Sequence, residues 1–140
     1  MHWHAYTWTG NGEDRGREAE RRSTSPDFLT SHLPPMRTGD WLAKPASRIA
    51  ATYEQQDLDA ALEWMAAQYE QARGSFVLPE GVPLEDRLRN ARGLLPAGVD
   101  VQWGEWLLAG RFVTIGMICC PNKHVDHPCP IRHPAGAQRP

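Results

Sequence analysis

The feature that most constrains the fold is the run from Phe112 to Ile118. Phe112, Val113, Ile115, Met117 and Ile118 put apolar groups on both faces of any extended segment, because successive side chains of a strand point to opposite sides. A strand that is apolar on both faces belongs in the interior of a sheet. The preceding stretch, Val99–Leu108, supplies a partner. Its Val99, Val101, Trp103 and Glu105 alternate with Asp100, Gln102, Gly104 and Trp106, and Ala109-Gly110 offers a tight hairpin connection into Arg111–Cys119. At the other end of the chain His2, His4, Tyr6 and Trp8 alternate with Trp3, Ala5 and Thr7 before the turn residues Thr9-Gly10-Asn11-Gly12. This aromatic strand is predicted to pair with the C-terminal hairpin.

Two helices follow from periodicity. Leu58, Ala61, Leu62, Met65, Tyr69 and Ala72 fall in one stripe at about 100° per residue, with Asp57 as N-cap, Gly74 as stop and Trp64 on the flank. From Pro83 to Leu95 the apolar line is Leu84, Leu88, Ala91 and Leu95, closed by Pro96 and Gly98. A further helix is predicted from about Ala46, with Ile49, Ala50 and Tyr53 on one face. Glu13–Arg22 has no apolar face to bury and reads as an exposed helix or a loop. Ser25-Pro26-Asp27 opens a short turn, and His32–Trp41 is expected to lie extended, packed by Leu33, Met36 and Trp41. The fold class is α+β, a small antiparallel sheet (N-terminal strand plus C-terminal hairpin) covered by amphipathic helices. A chain of 140 residues makes one domain. It is expected to span residues 1–134, with residues 135–140 as a disordered tail.

Composition excludes some functions. With a net charge of −2 the chain is not a generic polyanion binder, and its 41% hydrophobic and 23% charged content is that of a globular protein. The N-terminus has neither a basic nor an apolar leader segment. The longest apolar run, near Phe112–Cys120, is too short to span a bilayer. Three cysteines without an export signal imply a reducing compartment, so a cytoplasmic protein that does not engage membrane is expected.

Chemistry is concentrated after the last strand. Cys119, Cys120, His124, His127 and Cys129 lie in one proline-punctuated segment, Cys119–Pro130. Thiolates and imidazoles are the ligands that zinc takes four at a time in a tetrahedron. Cys119-x4-His124-x4-Cys129 carries the spacing of the last three ligands of a CCHC knuckle, but Gly116 stands where that motif needs a cysteine. The candidate metal ligands are therefore Cys119 or Cys120, His124 and Cys129, with His127 as fourth and His133 or His2 as substitutes. His2 and His4 can both reach the site if the first strand pairs with the last. The cofactor expected is zinc. Three other readings stand beside it: a thiol enzyme pairing Cys120 with His124, a Cys120–Cys129 disulfide, and cysteines that merely fill the core at a strand end. Arg87, Arg89 and Arg92 on one helix, together with six tryptophans, admit a single-stranded nucleic-acid binder. Such arginines more often only solvate a helix, so nucleic acid is not the expected partner. No phosphate loop, nucleophile elbow or paired-carboxylate motif accompanies these residues. The expected function is a non-enzymatic binding or regulatory module that engages another protein.

Three stretches together resemble small actinobacterial proteins encoded among the accessory genes of plasmids and integrative elements. They are His2 to Gly10, Leu33-Pro34-Pro35-Met36-Arg37-Thr38-Gly39-Asp40-Trp41, and Gly110-Arg111-Phe112-Val113 with Cys119-Cys120-Pro121-Asn122. The resemblance implies a bacterial, intracellular origin, in keeping with only two lysines, Lys44 and Lys123, among the 15 basic residues. It carries no activity and no site residue.

Overall fold

The computed structural model describes residues 1–78 and 80–132; His133 and the expected tail at 135–140 lie outside the described residues. The sheet contains β1 (His2–Asn11), β2 (Ala51–Glu54), β3 (Val101–Leu107) and β4 (Arg111–Cys120). It is wholly antiparallel, in the order β2-β1-β4-β3. The strand that is apolar on both faces, β4, therefore sits inside the sheet, and the N-terminal strand pairs with it along its whole length, from His2 opposite Cys120 to Asn11 opposite Arg111. The β3–β4 connection takes positive φ at Ala109 (64°) and Gly110 (69°), a conformation that glycine adopts without strain.

Each face of the sheet has its own core. On one, Trp3, Ala5, Val101, Trp103, Val113, Ile115, Met117 and Cys119 meet the stripes of the two long helices, α2 (Leu58–Arg73) and α3 (Leu84–Leu94). Ala61, Leu62, Met65 and Tyr69 of α2 are buried there, and Trp3 Nε1 donates to the Leu95 carbonyl at 3.3 Å. Asp57 stands at the cap position of α2, but its side chain caps no backbone N–H. On the other face Tyr6, Ile118 and Cys120 pack against Trp41 and Leu42, with Val125 and Cys129 closing over them. A 3-10 helix carrying Trp41 and Leu42, together with irregular chain, makes that second layer. Among the described residues no helix is long and apolar enough to cross a membrane.

Two expectations need correction. Ala46 begins no α-helix: residues Ala46–Arg48 form a 3-10 turn, and Ala51–Glu54 become the edge strand β2, with Ala50 N–H bonded to the Ala5 carbonyl at 2.8 Å. Pairing with β1 outweighs the local helical spacing of Ile49, Ala50 and Tyr53. Along His32–Trp41, Leu33 and Trp41 are buried as expected, whereas Met36 is 41% exposed and Thr38–Ala43 form a 3-10 helix. The charged stretch Glu13–Arg22 divides between a 3-10 turn (Gly12–Gly16) and a four-residue helix, α1 (Glu18–Arg21).

Candidate metal centre

Strand parity assembles the site. In an antiparallel pair directly opposed residues share a face, so His2 and Cys120, which are partners in the register, project to the same side. His4, two residues along β1, joins them. Cys129 is brought over this face by the segment that follows β4. The result is a cluster of His2, His4, Cys120 and Cys129 whose four donor atoms all lie within 4.8 Å of one another. His2 Nε2 is 3.2 Å from His4 Nε2. Cys129 Sγ is 3.7 Å from each of those nitrogens. His4 and Cys120 are buried; His2 and Cys129 are half-buried.

The surroundings prepare these groups for a cation. His4 Nδ1 lies 2.8 Å from Thr52 Oγ1 on β2. When Nδ1 donates that bond, Nε2 carries its lone pair toward the cluster, which is how outer-shell partners usually fix a ligating histidine. Burial, and then the neighbouring His2, hold the His4 imidazole down at about 4, and burial lowers His2 in the same direction. Both rings are thus neutral, ligand-ready bases near pH 7. Burial, followed by Cys129, pushes the Cys120 thiol up to about 12. Without a cation this burial favours the protonated thiol of Cys120, the opposite of what activates a nucleophilic cysteine.

The segment that carries Cys129 is anchored before it reaches the cluster. Asn122 donates to Asp100 at 2.9 Å. His127 Nε2 lies 2.8 Å from Oδ1 of Asp40, whose carboxylate is buried. Val125 packs over Gly39, where a Cβ would approach the valine methyl to 2.8 Å. A side chain at position 39 would force the valine to shift, because the two segments touch.

Of the ligands inferred from sequence, the structure brings together Cys120 and Cys129 with the substitute His2, and His4 joins them. Cys119, His124 and His127 lie apart from this cluster, and His133 lies outside the described residues. Cys119, adjacent in a strand, faces the helical core, where its Sγ is 3.9 Å from the Leu95 carbonyl. Burial and then Asp100 raise its thiol to about 12. His127 is engaged by Asp40, and His124 is exposed beside Arg37 in a shallow cleft. His124 is no part of the cluster around Cys120, so the Cys120–His124 pairing does not form. The cysteines are free. His4, and His2 as more than a substitute, come from the far end of the chain. The sequence signal for them was the shared strand face. The helical arginines are each neutralised, Arg87 by Glu105 at 2.6 Å, Arg89 by Asp86 at 2.9 Å and Arg92 by Asp59 at 2.7 Å. Each of the three arginines proposed for nucleic acid thus has a carboxylate partner among the described residues.

A pH dependence follows for the metal-free protein. Unfolded His4 takes a proton near 6.5, whereas folded His4 does so near 4. The unfolded state therefore binds more protons between those values, and stability falls as pH drops through that window, by about 3 kcal/mol at most from this residue. Denaturant titrations with chelator present should show this loss in the parent and a shallower one in His4→Gln. Parallel slopes would contradict it.

No known protein family, curated protein or solved structure matches this chain.

Proposed function

We propose that the protein is a zinc-stapled, non-enzymatic binding or regulatory module of the cytosol, with one Zn²⁺ held by His2, His4, Cys120 and Cys129. The donor spacing carries this reading. A tetrahedral zinc with ordinary bond lengths separates two imidazole nitrogens by about 3.3 Å and a nitrogen from a sulfur by about 3.6 Å. Among His2, His4 and Cys129 those separations are 3.2 Å and 3.7 Å, and Cys120 Sγ lies within 4.8 Å of these atoms. Two thiolates also balance the charge of a divalent ion, and mixed sulfur and imidazole donors suit zinc better than magnesium, calcium or manganese. Four protein ligands leave no open position for substrate or water, which is the arrangement of a structural centre and not a catalytic one.

The test is metal stoichiometry in protein purified without a histidine tag. About one equivalent of zinc is expected in the parent, and Cys129→Ser and His4→Gln should each lose it. Uptake should release protons from Cys120 and Cys129 and should weaken on acidification, since thiolates must form to bind. Parent protein that stays metal-free after reconstitution with zinc would sink the reading.

A further inference from the structure

Tyr6 follows His4 on the metal-facing side of β1 and is fully buried. Its ring stacks on Trp41, with centroids 4.8 Å apart and planes 17° from parallel. Its hydroxyl has no hydrogen-bond partner, a condition shared among the described residues' buried side-chain atoms only by Arg15 Nε. An unpartnered buried donor is costly, and native structures normally supply it with an acceptor. The apolar residues packed in the same cluster are Trp41, Leu42, Ile118 and Cys120, with Trp8, Ile49, Val125 and Cys129 against them. Among these, Cys120 and Cys129 carry the side-chain atoms with acceptor lone pairs, their sulfurs. Thiols accept weakly, whereas hydrogen bonds to an ionised acceptor are markedly stronger.

We propose that Tyr6 is a positioning residue of the metal centre, its hydroxyl donating to the thiolate pair of Cys120 and Cys129 once a metal binds. This rests on the zinc reading above. It assigns the orphan hydroxyl a partner that exists only in the loaded protein. Drawing electron density from sulfur, the bond holds the thiolates in place and shifts the energy of their charge transfer to the metal.

Tyr6→Phe keeps the ring and removes only the hydroxyl, and its effects should have opposite signs in the two states. In the presence of chelator the variant should melt at or above the parent, because a buried orphan donor is gone. With metal, affinity should fall about tenfold, as is typical when an outer-shell partner is lost. Co²⁺ is the spectroscopic probe. The sulfur-to-cobalt band of Tyr6→Phe should move to lower energy. Thr52→Val, which removes the partner of His4, should weaken binding without moving that band. Equal affinity with superimposable cobalt spectra for parent and Tyr6→Phe would overturn the proposal and leave the zinc reading intact. A parent that binds neither Zn²⁺ nor Co²⁺ would overturn both.

Discussion

Deleting residues 1–8 is expected to leave a chain that does not fold cooperatively. β1 is an interior strand, paired to β4 on one side and to β2 on the other. Its removal opens two sheet edges and takes a wall from each core: Trp3 and Ala5 from the helical side, Tyr6 from the other. Trp3 alone, with no exposed surface, should cost about 3–5 kcal/mol on truncation to alanine. That is a large share of the ~5–15 kcal/mol that holds a domain together. Denaturant titrations should show a lowered midpoint for Trp3→Ala, and circular dichroism of the deletion should show no cooperative melt. A deletion that melts with the parent's midpoint would refute the assignment of β1 to the sheet interior.

Metal loading should produce the second large effect. An ion held by the cluster would join His2 and His4 to Cys120 and Cys129, and would so tie the first strand to the segment that follows the last one. Free zinc at a thousand times its dissociation constant would add about 4 kcal/mol. Chelator should lower the melting temperature accordingly without unfolding the domain, because the helical core makes no use of the site. Hydrogen exchange supplies the localisation: amides of residues 121–132 should lose protection on metal removal, while those of β3 and the interior of β4 keep it. Coincident melts with and without zinc would contradict the staple.

The parts of this architecture legible in the sequence were those with a long periodic signal. β4 announced itself by apolar residues of both parities, and α2 by a stripe running from Leu58 to Ala72. β2 was not legible. At four residues it offers only Ala51 and Tyr53 on its inward face, too few to outweigh the helical spacing around them, and its conformation is set by β1. The site was half legible for a related reason. Local spacing drew attention to Cys119, His124 and His127, but neighbours in sequence need not be neighbours in space. Strand parity sends Cys119 to the opposite face, and Asp40, distant in sequence, captures His127. His2 and His4 meet Cys120 and Cys129 only through a register that spans nearly the whole chain. Such a register is fixed by burying both faces at once, a property of the folded sheet that no short window contains.

The opposite facing of Cys119 and Cys120 makes the β4 backbone an insulator between two thiols that share a peptide bond. One sulfur lies among helices, the other beside imidazoles, and neither can answer for the other. A soft metal that enters from the Cys129 side would therefore meet two sulfurs and not the third. In the folded state a chain with three cysteines behaves as a dithiol with a separate, silent thiol behind it.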